Sequence, residues 1–235
     1  MALRPLFRPT YRLIGYSVIV GFLGAFAALG FDALVAFVEH HLLGGVAGYV
    51  PPGVGVLEPT AHMPVGVHRW WLPLVTTLGG LVSGWLVFTY APEAEGHGTD
   101  AAIAAYHQRA GEVRSRIPFI KAAASALTIG SGGVAGREGP TAQIAVGLGT
   151  IFGRLLGLRG QQKRLLLLAS MAAGLAAMFR APLGMAIFSV EILYAGMVFE
   201  SEALIYTVIS AVTSYAVYGV FAGWSHLFEI PTALT

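Results

Sequence analysis

Arg137 and Glu138 stand side by side in the run GSGGVAGREGP, Gly130–Pro140, and apolar stretches flank that run on both sides. A second glycine-rich run, EGHGTD at Glu95–Asp100, precedes AAIAAYH. In each run the glycines free the backbone and a helix start follows. Thr99 or Asp100 is placed to cap the short helix after the first run, and Pro140 suits the first turn of the helix after the second. A helix start carries N–H groups without intrahelical partners and the positive end of the helix dipole, so it can hold an anion. Two such starts at membrane depth would replace water around a small anion without a full cationic charge. A ring of Lys or Arg would hold the anion more tightly, whereas permeation needs binding weak enough to leave. A carboxylate beside such a site competes for the same N–H groups. Glu138 therefore reads as a gate that fills the site when turned in and admits an anion when protonated or turned out. The alternative is structural, with Arg137 and Glu138 paired to another charge inside the membrane.

The elements around these runs are membrane elements. Of 235 residues 56% are hydrophobic and 11% charged, against about 25% charged in soluble domains. Apolar segments cover Leu13–Val38, Leu72–Tyr90, Ile117–Ala135, Thr141–Leu158, Leu165–Phe179, Pro182–Phe199 and Ala203–Ala222. The first two and the last reach the roughly 20 residues of a simple span. The middle ones are cut by Gly and Pro, which is tolerated at membrane depth where broken backbone is buried or lines a cavity. No segment alternates with period two, so a β-barrel is not expected. The expected fold is an all-α integral membrane bundle with broken and short helices, one domain over residues 1–235 with no soluble domain. Eleven of the fourteen Lys and Arg residues fall in three clusters: Arg4, Arg8 and Arg12; Arg109, Arg114, Arg116 and Lys121 before the third segment; and Arg154, Arg159, Lys163 and Arg164. Alternate crossing puts all three on one side, with the N-terminus cytoplasmic and the C-terminus outside, in a cell or inner membrane.

Other chemistry is set aside on composition. There is no cysteine, so no disulfide, thiolate metal site or cysteine nucleophile is expected. His40, His41, His62 and His68 are spaced irregularly and read as surface residues, and no metal site is expected. The glycine-rich turns lack the lysine of a nucleotide-binding loop. A net charge of +2 gives no reason to expect nucleic acid. The chain does not read as an enzyme, and no cofactor is expected beyond a bound small anion. Asp32 reads as a hydrogen-bonding partner to a neighbouring helix, and Trp70, Trp71 and Trp224 as interfacial anchors.

GSGGVAGREGPTAQIAVG resembles the signature of the CLC family of chloride channels and chloride/proton exchangers. GHGTD at Gly96–Asp100 resembles a variant of that family's first anion motif, and APLGMAIFSVEI at Ala181–Ile192 its APL…FxxE segment. The three occur in family order at family spacing. The resemblance implies a fold of two inverted repeats, of which this chain matches the first. It implies that Glu138 gates, and that anion contacts come from Gly96, His97, Gly98 and Thr99 and from Gly136, Arg137, Gly139 and Pro140, largely through backbone.

Three departures shape the expectation. Many family members have serine where His97 stands. The imidazole either donates an N–H and adds pH sensitivity near neutrality or turns away into a polar vestibule. Exchangers often carry two carboxylates in the FxxEE segment. Here Glu191 matches the first, read as a structural pair with an Arg or a helix start, while Ile192 occupies the proton-relay position without a carboxylate. That favours passive conduction over coupled exchange. Finally, one repeat alone would expose half a pathway wall to lipid, so a second half is required. A distinct partner half, in a separate chain or in the rest of the same gene, is favoured over an antiparallel copy because the Lys/Arg asymmetry is strong, and complete units are expected to dimerise in the membrane. The function expected is chloride-like anion conduction, with a chloride/proton antiporter and a non-conducting assembly subunit as alternatives.

Overall fold

The computed structural model describes residues 11–49, 70–193 and 201–224. His62, His68, Arg69, Arg4 and Arg8 lie outside them, as do the last residues of the Pro182–Phe199 segment and both ends of the chain. Eight α-helices run in order among the described residues: α1 Tyr11–Glu39, α2 Trp71–Tyr90, α3 Thr99–Gln108, α4 Ile117–Gly130, α5 Glu138–Leu155, α6 Gln161–Phe179, α7 Pro182–Glu191 and α8 Ser201–Ala222. A π-helical turn, His40–Val46, extends α1, and a single 3-10 turn, Pro92–Ala94, follows α2. Among the described residues three stretches are long and apolar enough to cross a membrane: Tyr11–Val46, Trp71–Tyr90 and Ser201–Ala222.

Helix α6 sits at the centre because it is apolar all round. Leu165 to Ala177 is buried without a break, and α1, α5, α7 and α8 pack on it. Lipid is as apolar as leucine, so close backbone approach and hydroxyl bonds hold such helices together. Both are present. A Cβ added at Gly24 of α1 would come within 2.5 Å of Ala173 Cβ. Ser210 and Ser214 of α8, one turn apart, donate to the Ala169 and Ala173 carbonyls of α6, each at 2.7 Å. Ser83 of α2 donates to Ala124 O of α4 at 2.8 Å.

The charged ends also gather. Glu112, between α3 and α4, accepts from Arg154 at the end of α5 at 2.8 Å and from Lys163 at the start of α6. The rings of Tyr16 and Phe152, 6.1 Å apart, bring the start of α1 to the same end of the bundle. Burial would raise the Glu112 pKa, but hydrogen bonds from Lys163 and Arg154 hold it below the ordinary 4.5. A lowered folded-state value means that Glu112 stabilises the fold fully above the unfolded value. That contribution disappears as pH falls through the folded value. We therefore expect Glu112→Gln to melt below wild type at neutral pH, and the gap to close on acidification below the glutamate range. Its size stays within about 1 kcal/mol because the glutamate is half-exposed. Melting curves of both proteins in detergent across pH check this.

Candidate functional site

The two glycine-rich runs meet. Gly98 adopts φ +90°, open to glycine alone, and acts as the N-cap of α3. A Cβ on Gly98 would lie 2.5 Å from Gly139 O and 3.0 Å from Gln143 Cβ, and one on Gly139 would overlap His97 O. Backbone therefore packs on backbone, and the starts of α3 and α5 are brought together. Side chains fix the approach. Gln143 Nε2 of α5 donates to Glu93 O at 2.8 Å, and Lys121 Nζ of α4 donates to Ala94 O at 2.8 Å and Gly96 O at 2.6 Å. Arg114 pairs with the Glu93 carboxylate on the far side. Burial works to raise the Glu93 pKa, but its own backbone N–H and Arg114 hold it below the ordinary value.

Two sequence expectations about helix starts are corrected. Neither Thr99 nor Asp100 caps α3, since both already lie inside the helix and the cap position belongs to Gly98. Helix α5 begins at Glu138, ahead of the expected Thr141, with Arg137 as N-cap and Pro140 in the first turn. No side chain caps either helix. The first-turn N–H groups of Thr99 and Asp100, and those of Glu138 and Gly139, thus lack capping partners, while Pro140 has none to satisfy.

A cavity of about 340 Å³ opens beside this junction, and Gly96, His97, Lys121, Gly136, Glu138 and Gly139 contribute to its wall. Glu138 is exposed, and among the described residues no hydrogen bond or ion pair holds its carboxylate. The carboxylate curls back over Gly136, where a Cβ would collide with Oε2. His97 is exposed and faces the cavity, while its backbone carbonyl presses on Gly139. This combination of uncapped helix starts, an exposed carboxylate without a partner and an imidazole can receive a small anion and can also fill the place itself.

Arg137 is in the run but not in the cavity wall. Its guanidinium turns to α1, 3.4 Å from Asp32 Oδ1 and 3.9 Å from Glu39 Oε2, and Tyr218 of α8 donates to Asp32 Oδ2 at 2.7 Å. Asp32 is the inter-helix hydrogen-bonding partner expected. Arg137 anchors the run, and only its backbone adjoins the site. Thr99 starts α3 beside the junction. Glu191 ends α7 exposed, and among the described residues the expected pair with an Arg or helix start is not formed, because the last residue of the helix points to the surface. Ile192 packs, half-buried, against the main core.

Lys121 is the site residue the sequence reading missed. Its place after Arg109, Arg114 and Arg116 suggests a flanking basic residue, although the expected segment already begins at Ile117. Helix α4 starts at Ile117, so Lys121 lies inside it, 5% exposed. The signal was a lone lysine followed only by Ala, Ser, Leu, Thr and Ile up to Gly130. A membrane helix keeps such a charge only where it faces a partner or a cavity.

Known proteins place the chain. The family described as voltage gated chloride channel matches residues 79–235. A ClcB-like protein of Ralstonia nicotianae, named for chloride channels, is 27% identical over 225 residues, 93% of this chain and 49% of that protein. The crystal structure of a slow cyanobacterial Cl−/H+ antiporter aligns with TM-score 0.73 at 23% identity, over 96% of this chain and 49% of the other. A CLC-type fluoride/proton antiporter aligns with TM-score 0.72 at 20% identity, over 95% and 50%. The chain thus spans about half the length of the relatives it matches, and its all-helical membrane fold is theirs. By the family match over most of its length, it belongs to the voltage-gated chloride channel (CLC) family.

Proposed function

We propose that this chain forms one half of an anion pathway, in which the starts of α3 and α5 hold a chloride-like ion and Glu138 gates it. The observation that carries this is the Gly98–Gly139 junction, which sets two uncapped helix starts beside one cavity with Glu138 on its wall. Gly96, His97 and Gly98, with the backbone of Gly136–Pro140, supply the contacts. The pathway is closed by a second half. A distinct partner half, on another chain or in further sequence of this one, fits better than an antiparallel copy, because the Arg154, Lys163 and Glu112 cluster concentrates basic charge at one end of the bundle. The apolar residues of α2 left open, among them Leu78, Leu81, Trp85 and Phe88, are available to lipid or to that half. Complete units pair in the membrane, with the basic end cytoplasmic.

Coupled exchange is the second reading, because two of the similar solved structures are of antiporters. Ile192 at the relay position argues for conduction. Flux from liposomes holding the protein as purified from its membrane, with any co-purifying partner, separates the two. The conduction reading expects chloride efflux that needs an ionophore to balance charge and moves no protons. Uphill proton movement driven by a chloride gradient assigns exchange. Silence with tight membrane association assigns an assembly subunit and removes the proposal.

A further inference from the structure

We propose that Lys121 and Ser125 form a second anion station on α4, distinct from the start of α5. The ammonium of Lys121 has three donors, and two are taken by Ala94 O and Gly96 O. Those carbonyls satisfy N–H groups but carry no formal negative charge. Among the described residues no carboxylate pairs with it: the ion pairs found are those of Arg114, Arg137, Arg154 and Lys163. A buried cation without a counter-charge is costly, and a bound anion removes the cost. Ser125 follows one turn later on the same face of the helix. Among the described residues its hydroxyl has no partner, whereas the hydroxyls of Ser83 and Thr128 are engaged with Ala124 O and with each other.

Both residues face two cavities. One is the 340 Å³ space that holds Glu138, and the other is a space of about 330 Å³ on the α2 side, also bordered by Ser83 and Gly96. Glu138 contributes to the first wall and not to the second. Glu95 borders the second space, but it is exposed and forms no ion pair with Lys121. The Lys121 ammonium, with a spare N–H, and the spare O–H of Ser125 therefore stand on the partition between the two spaces. The ligand this fits is a small monovalent inorganic anion, held by one charge-assisted bond and one hydroxyl. The station rests on the anion reading of the α5 start and extends it. It gives the ion a place one step away that the Glu138 carboxylate does not fill.

Chloride titration by calorimetry into the full chain in detergent, with any co-purified partner, tests this. If Glu138 competes at the α5 start, Glu138→Gln raises chloride affinity. On that background Lys121→Met is expected to lower chloride affinity at the second station about 10- to 100-fold, and Ser125→Ala about 3- to 10-fold. Lys121→Arg, which keeps the charge, retains most of it. Loss with Lys121→Met but none with Ser125→Ala would assign the lysine to holding Ala94 and Gly96 in place and overturn the station. A rise with Glu138→Gln and no effect of either α4 variant also overturns it, leaving the α5 site standing. Effects of the α4 variants without any effect of Glu138→Gln keep the station and remove the gate. Ser125→Ala touches no packing contact of the junction, so its result stands even where Lys121→Met fails to fold.

Discussion

Glu138→Gln is expected to abolish most of the pH dependence of chloride flux and to fix the rate near its acid level. The wild-type carboxylate lies at the start of α5, where it can accept from the N–H groups an anion would use. Ionised, it is itself the better ligand, because a hydrogen bond to a charged group contributes roughly 1.5–3 kcal/mol. That corresponds to about 10- to 150-fold in occupancy of the site by the external ion. Protonation removes the competing charge, so wild-type flux rises as pH falls. The amide of glutamine keeps the shape and loses the charge at every pH. Flux from liposomes, measured for both proteins over the same pH series, should converge at acid pH and separate by about tenfold or more on the alkaline side. A small residual dependence in the variant, removed by His97→Asn, would assign it to the imidazole on the same cavity. An unchanged pH profile would take Glu138 out of the gate role.

Gly139→Ala should cost both flux and stability. The added Cβ overlaps the backbone carbonyl of His97, which has no rotamer to escape into. The two runs must part, and a shift of about 1 Å at a preorganised site lowers its rate on the order of 100-fold. Overpacking adds a destabilisation of about 1–3 kcal/mol. Gly136→Ala is the contrasting case. Its Cβ meets only the tip of the Glu138 side chain, which can rotate away. We expect Gly136→Ala to melt like wild type while shifting the pH response, because it displaces the gate and spares the junction. Gly80→Ala, in α2 with nothing within 4 Å of the added atom, should leave both untouched or stabilise slightly. Size-exclusion profiles after a heating series, beside liposome flux, rank the three.

The sequence made the two runs legible because local chemistry decides them. Glycine is what permits φ +79° at Gly96 and +90° at Gly98, and proline is tolerated in a first helical turn. The same cues misplaced the start of α5. Gly139 and Glu138 look like loop residues, yet the helix includes them because the contact with His97 holds Gly139 in place from outside the segment. What the sequence did not reveal is tertiary in origin. Arg137 is separated from Asp32 by 105 positions, so nothing local says that its guanidinium leaves the site for α1. Lys121 looks like one more basic residue at a membrane edge, and nothing local says that its ammonium is buried against the Ala94 and Gly96 carbonyls. In both cases the residue type was informative, and the direction of the side chain was set by a neighbour far away in the chain.

The most direct measurement is anomalous diffraction from bromide-soaked crystals of wild type and Glu138→Gln. In the variant a bromide peak is expected within hydrogen-bonding reach of the Glu138 and Gly139 N–H groups at the Gly98 junction. In wild type at alkaline pH the Glu138 carboxylate is expected in that same place. Bromide elsewhere in the bundle, with the α5 start unoccupied in both proteins, would contradict the proposed site and its gate.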